Sequence, residues 1–319
     1  MNIAVLRGGH HSEHDVSIKS GQTIIDALVS NNTVIDVVIS KDLKSWNIDN
    51  QKLSATEALQ LLTKQCDIVV PVLHGPFGED GTIQGALEAA GLPYIGSGVR
   101  ASAIAMDKFT TNHMFSSLNE FNIPDFCAIN AADPLGSYQN SMESIGFPLV
   151  LKPARGGSSF ETQFVNTAAE AAEFLKDAKS DFFIAQKAIS GMELTCGVVE
   201  ISGKVTALEV IEIVPPHGSF FDYDAKYTPG ASQEIIPARI EKNTANSVKQ
   251  LSVAAHKYLG CSGITRSDFI VDDQDVVWYL ETNTAPGMTA TSLVPQELAY
   301  ANIELADTVQ QLCAERLAQ

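Results

Sequence analysis

Residues 263–293 read GITRSDFIVDDQDVVWYLETNTAPGMTATSL. Apolar runs flank Asp272-Asp273-Gln274-Asp275, so the stretch predicts a β-hairpin followed by a loop. Pairing Val271 with Val276 sets Phe269 opposite Trp278, Asp268 opposite Tyr279 and Arg266 opposite Glu281. Side chains alternate along a strand. One face then carries Phe269, Val271, Val276, Trp278 and Leu280 toward a core. The other carries Arg266, Asp268, Glu281 and Asn283, with Ile270, Val277 and Tyr279 nearer the turn. Asp268 and Glu281 become diagonal neighbours within reach of one ion. Adjacent carboxylates repel unless a positive group sits between them or one holds a proton. A carboxylate pair with an amide oxygen, and no His or Cys, suits a hard cation such as Mg²⁺. Solvated acids on a surface hairpin are the other reading of the same pattern. Thr284 to Thr289 adds a Pro-Gly turn whose Gly287 amide can face a developing anion.

The rest of the chain bounds this reading. At 319 residues it is long for one core and suggests two or three domains. Apolar residues make up 45% and charged ones 18%, a globular composition. The net charge of −17 argues against non-specific binding to nucleic acid or anionic membrane. Any anionic substrate therefore needs locally placed basic groups. Cys66, Cys127, Cys196, Cys261 and Cys313 are scattered singly, as reduced thiols of a cytoplasmic protein would be. No window approaches the ~20 apolar residues of a membrane span.

Strands predicted at residues 2–6, 34–39 and 68–73 alternate with helices at 15–28 and 82–90, which indicates an α/β domain with parallel strands. Ligands in such sheets bind beyond the carboxyl ends of strands, where the loops 8–13 and 74–81 fall. Glu79 and Asp80 read equally well as residues favouring the following helix dipole. A helix is expected from Lys108 toward Leu118, and strands at 147–151 and 183–187. Lys152 beside Arg155-Gly156-Gly157-Ser158-Ser159 resembles phosphate-loop chemistry, although the Lys precedes the glycines, unlike Walker A. A flexible surface loop would read the same. Antiparallel strands follow at 194–200 and 204–213, an irregular stretch at 215–232, and helices at 243–259 and 299–317. His256 reads as a partly exposed helix residue.

HGPFGEDGTIQGALE, PYIGSG, ASAIAMDK, FPLVLKPARGGSS, FFDYDAKY, LGCSGITRSDF and LETNTAPGMTATSLVP together resemble the D-alanine–D-alanine ligase family of ATP-grasp enzymes. The resemblance runs from Asn2 to about Pro295, with order and spacing kept. It implies an α/β protein of three α/β or α+β domains. These are an N-terminal domain (1–100, first-substrate loops), a central ATP-grasp domain (101–185) and a C-terminal one (186–319, metal, oxyanion and second-substrate site). ATP lies between the last two. It further implies two D-alanines joined through an acyl phosphate, Mg²⁺ or Mn²⁺ as metal, and often a homodimer. Asp268, Glu281 and Asn283 match the metal ligands. Lys108, Lys152 and Lys226 match phosphate-binding lysines. Gln186, Lys187, Ile189 and Glu193 match the adenine and ribose segment. Arg266 and the Gly287 amide match the oxyanion-stabilising pair. Glu13 matches the acid on the first ammonium, and Ser158 and Tyr227 its hydrogen-bonded partners. His74 matches a histidine beside the substrates, and Ser292 and Leu293 the group holding the second carboxylate.

The chain departs from the family at several places. Glu161 stands where Gly is usual, and Gln186 replaces an acid. Arg155-Gly156 replaces Arg-Glu, and Asn112 a common Lys. A D-Ala–D-Ser or D-Ala–D-lactate ligase is the nearest alternative. An ATP-grasp carboxylase and a nucleotide-binding regulator without catalysis are the more distant ones. Tyr227 beside Lys226 favours the dipeptide form, and the joint occurrence of Glu13, Ser158 and Tyr227 favours an amino-acid site.

Overall fold

Ile3, Ala4, Val5 and Leu6 are wholly buried, as expected of a strand covered on both faces. They form the centre of β1 (Asn2–Gly8) in a computed structural model that describes residues 1–10, 13–131, 138–156, 161–214 and 233–319. β1 pairs in parallel with β2 (Thr33–Ile39) and β5 (Ile68–Pro71). β3 (Trp46–Ile48) and β4 (Gln51–Leu53) extend the sheet antiparallel, giving the order β4-β3-β2-β1-β5. Helices α1 (His14–Leu28), α2 (Ala55–Gln65) and α3 (Thr82–Ala89) accompany this sheet. Ser54 and Glu57 close a reciprocal capping box that fixes where α2 starts. Glu13 precedes α1 and the loop at 74–81 follows β5, so both stand at the carboxyl edge.

α4 (Val99–Met106) and α5 (Lys108–Ser116) lead to a four-stranded antiparallel sheet of order β6-β9-β7-β8. Its strands are β6 (Phe126–Asn130), β7 (Leu149–Pro153), β8 (Gln163–Val165) and β9 (Phe182–Lys187). α6 (Tyr138–Ile145) and α7 (Ala168–Lys176) pack beside it. The third sheet has the order β13-β12-β10-β14-β15 with β11 on β10. It comprises β10 (Met192–Ile201), β11 (Lys204–Ala207), β12 (Ile211–Val214), β13 (Gln233–Ile235), β14 (Ile264–Val271) and β15 (Val277–Asn283). The strand expected at 204–213 is thus two strands, each pairing with a different part of β10. α8 (Lys242–Leu259) covers one face through Val248, Ala255 and Leu259 against Leu194, Cys196, Phe269 and Tyr279. Within α8, His256 is buried, not partly exposed. Its ring meets Thr265 Oγ1 at 2.8 Å and Glu200 Oε2 at 3.4 Å.

The helix expected at 299–317 is two, α9 (Leu293–Tyr300) and α10 (Leu305–Leu317). Asn302 takes φ +56, and Ile303 N–H and Asn302 N–H donate to Leu298 O and Ala299 O. That pairing is a Schellman stop, with Asn in the position usually held by Gly. Val294, Leu298, Val309 and Leu312 then share one core with Ile3, Val5, Ile24 and Val70. The end of the chain therefore packs onto the first sheet, and brings the loop after β15 to the carboxyl edge of β5.

Candidate active site

The hairpin forms at the predicted place with a different register. Asp272 Oδ1 accepts from Gln274 and Val276 N–H, Oδ2 from Trp278 Nε1–H, and Asp275 sits at φ +60. This longer turn pairs Val271 with Val277, Ile270 with Trp278 and Phe269 with Tyr279. A bulge then inserts Leu280, so that Asp268 stands directly opposite Glu281 and Arg266 opposite Asn283. The core face is consequently Phe269, Val271, Val277 and Tyr279, while Trp278 and Leu280 are only half-buried. Strict alternation from Trp278 would have turned Glu281 into the core. The bulge instead keeps Arg266, Asp268, Glu281 and Asn283 on one face.

On that face Arg266 binds Asp268 as a fork, Nε–Oδ1 at 2.9 Å and Nη2–Oδ2 at 2.8 Å. Thr195 Oγ1–H donates to Asp268 Oδ1 at 2.6 Å, and Asn283 Nδ2–H to Oδ2 at 3.2 Å. Lys108 Nζ lies 3.3 Å from Glu281 Oε2 and donates to Gly156 O at 2.6 Å. The positive charge that a carboxylate pair requires is thus supplied by Arg266 and Lys108. The oxygens of Asp268, Glu281 and Asn283 are hard donors facing one another across two adjacent strands. That set would fit a hard divalent cation such as Mg²⁺ or Mn²⁺. Among the described residues no cluster of three or more His, Cys, Asp or Glu could hold a metal.

The neighbouring strands bring more of the set together. Glu193 pairs with Ile270 and Thr195 with Asp268, which puts Glu193 on the same face as Asp268. In the four-stranded sheet Val150 pairs with Gln186 and Lys152 with Ile184, so Lys152 and Gln186 share a face. Gln186 is buried, and its Nε2 has no hydrogen-bond partner among the described residues. Both side-chain polar atoms of buried Asn112 are in the same state. Lys187 is committed to the carbonyls of Gly146 and Phe147, at 2.9 and 3.1 Å. Ile189 lies two residues beyond the end of β9.

At the first sheet Glu13 is buried against the loop that follows β5, where a Cβ on Gly75 would lie 1.9 Å from Glu13 Oε2. Gly75 also has φ +71, so only glycine serves there. His74 Nδ1–H donates to Ala285 O at 2.8 Å, which makes Nε2 the acceptor for Ser20 O–H at 3.0 Å. Burial holds the His74 ring below its usual pKa, with Glu13 opposing the shift. Burial, then the charge of Glu13, pushes the Glu79 carboxyl up to about 7. Glu79 does not cap α3. It accepts from Gly75 N–H and from Ala285 N–H, while Asp80 serves Phe77 and Thr82. Of the two readings the sequence left open for Glu79, a helix-end acid and a residue of the ligand-edge loop, the structure supports the second. Its distant partner, Ala285, lies 206 residues along the same chain, and no local pattern reports that.

Ser292 precedes α9, and its Oγ lies 2.8 Å from Thr289 Oγ1. Leu293 packs on Ile211 and Ile213. Glu161, at φ +53, turns its carboxylate onto Lys179 N–H, Ser180 N–H and Ser180 Oγ–H. It occupies the left-handed conformation that a Gly would take and is turned onto the loop before β9. Ser158, Lys226 and Tyr227 lie outside the described residues.

Two antiparallel sheets, one carrying the facing acid pair and the other Lys152 and Gln186, with Lys108 reaching Glu281, are the arrangement of an ATP-grasp enzyme. Residues 47–97 match the family description "D-ala D-ala ligase N-terminus", and residues 117–314 match "D-ala D-ala ligase C-terminus". A relative named D-alanine–D-alanine ligase in Anaeromyxobacter dehalogenans is 39% identical over 97% of this chain and 95% of that protein. One in Leptospira interrogans is 37% identical over 97% and 96%. The solved D-alanine–D-alanine ligase of Bacillus anthracis superposes with a TM-score of 0.83 at 31% identity, covering 100% of this chain and 98% of that one. The VanG D-Ala:D-Ser ligase of Enterococcus faecalis gives 0.82 at 27%, covering 99% of each. The chain belongs to the D-alanine–D-alanine ligase family.

Proposed function

We propose that this chain joins two D-alanines at the expense of ATP, supplying a dipeptide for peptidoglycan precursors. A carboxylate oxygen of the first D-alanine attacks the γ-phosphorus, and ADP leaves. The amine of the second attacks the acyl-phosphate carbonyl. Phosphate then departs with the electron pair of the broken C–O bond, and the nitrogen loses a proton. Two anions must meet, so local positive charge is indispensable in a chain of net charge −17.

The observation that carries the reading is the Asp268–Glu281 pair, directly opposed beside Arg266 and Lys108. Asp268, Glu281 and Asn283 would hold Mg²⁺ or Mn²⁺. When bound, such an ion offsets the charge of the nucleotide phosphates. Lys108, Lys152 and Lys226 neutralise phosphate oxygens, and Glu193 takes the ribose. Gln186, whose Nε2 has no hydrogen-bond partner among the described residues, meets the base, with Lys187 and Ile189 shaping that end. Glu13 receives the first ammonium, with Ser158 and Tyr227 as its partners. Arg266 and the Gly287 N–H stabilise the oxyanion, and Ser292 and Leu293 position the second substrate. His74 holds the Ala285 carbonyl through Nδ1 and the Ser20 hydroxyl through Nε2, beside the substrates. The three-domain division at residues 100 and 185, a homodimer and a cytoplasmic location belong to the same reading. Among the described residues no helix is long and apolar enough to cross a membrane.

The test is phosphate release with a panel of D-amino and D-hydroxy acids. D-alanine alone should support turnover. A requirement for D-serine or D-lactate as second substrate moves the chain to the alternative ligases, and ATP binding without turnover defeats the proposal.

A further inference from the structure

We infer that Glu79 is a positioning residue of the ligation site, an inference that rests on the ligase reading above. Its carboxylate accepts from Gly75 N–H at 2.7 Å on its own loop and from Ala285 N–H at 2.9 Å on the loop after β15. The other backbone group of Ala285, its carbonyl, accepts from His74 Nδ1–H at 2.8 Å. One loop therefore holds Ala285 by both polar groups. The same network continues from His74 Nε2 through the hydroxyl of Ser20, whose oxygen accepts from Met288 N–H at 3.1 Å. Residues 285 and 288 are both fastened, with Gly287 between them. The Gly287 N–H has no hydrogen-bond partner among the described residues, so its direction is set by these flanking anchors.

Thr284, Pro286 and Met288 of this loop are buried. The loop's far side borders a pocket lined by Val72, Ile95, Met288 and Leu312. Helix capping does not explain the acid, because Asp80 already takes the Thr82 N–H. Burying a carboxylate beside Glu13 is unfavourable, and a neutral amide would avoid that cost. An amide, however, has a single acceptor oxygen, and its NH₂ would face the second N–H. Only a carboxylate can accept from both loops at once. Glu79 thereby links the edge of the first sheet to the backbone segment that carries the Gly287 amide.

The experiment uses Glu79→Gln and Glu79→Ala in the full chain. Expected is a fall in kcat of about tenfold to a hundredfold, the scale of a misplaced catalytic group. The affinity for ATP should stay within about twofold, since interactions untouched by the change keep their binding energy. Amide hydrogen exchange of the peptide spanning residues 284–288 should rise in the free protein. Unchanged kcat, unchanged exchange in that peptide, or loss of ATP affinity in step with kcat would each overturn the inference. The exchange measurement needs no turnover and decides the matter even for a wild type inactive with D-alanine. That inactivity would by itself defeat only the ligase reading.

Discussion

Gly197→Ala is the most demanding test of how α9, the helix that Ser292 precedes, is seated. Gly197 lies on β10 opposite Arg266, and its N–H donates to Glu297 Oε1 at 2.8 Å. Glu297, on α9 five residues after Ser292, is fully buried, and burial pushes its carboxyl well above the usual range. A Cβ at 197 would lie 2.2 Å from Glu297 Oε2 and 3.0 Å from Leu208 Cδ1. Contact at ordinary distance requires the carboxyl to move by about 1 Å, which stretches the Gly197 bond. Overpacking costs about 1–3 kcal/mol, and an unpaired buried N–H a further ~1–3 kcal/mol. The expected loss is therefore about 2–6 kcal/mol of unfolding free energy, read from urea denaturation. Glu297→Ala removes the obstacle, so the double variant should recover roughly 2 kcal/mol relative to additivity. A loss below about 1 kcal/mol, or strict additivity of the pair, would refute the seating of α9 on Gly197.

Three further outcomes are expected. Glu281→Gln should abolish turnover and raise the Mg²⁺ requirement; a near-normal rate at ordinary Mg²⁺ counts against its place in the cation set. Glu161→Gly should leave the ATP KM unchanged, because the carboxylate is turned onto residues 179–180; a lower KM would mean that it reaches the phosphates. Glu79 gives the pH dependence. Its carboxyl is raised from 4.5 to about 7, so the stability it contributes is fully present below 4.5 and lost as pH rises through 7. At about 1.4 kcal/mol per pH unit, wild type should gain roughly 2–3 kcal/mol over Glu79→Gln between pH 8 and pH 5. Parallel denaturation profiles for the two proteins would contradict this.

Much of the fold was legible locally. The buried strand at 2–6, the α1 period and the hairpin with its acidic turn follow from alternation, helical spacing and turn chemistry, which act over a few residues. The resemblance carried the site further, since the motifs keep their order along the chain. What local pattern misplaced is instructive. The helix stop at Asn302 went unread because Asn takes the left-handed conformation less often than Gly. The hairpin register went wrong because the side chain of Asp272 lengthens the turn by one residue.

By itself the sequence determined which chemistry is available: the paired acids, the lysines, the Pro-Gly loop and the glycine-rich stretches. Only the tertiary structure decided how they meet. The bulge at Leu280 sets Asp268 directly against Glu281. The docking of α9 and α10 on the first sheet brings Ala285 to Glu79 and His74. The physical reason is range. A residue's backbone preference is set by its immediate neighbours, whereas strand register and a carboxylate's choice of N–H partner depend on groups that only packing brings within 3 Å.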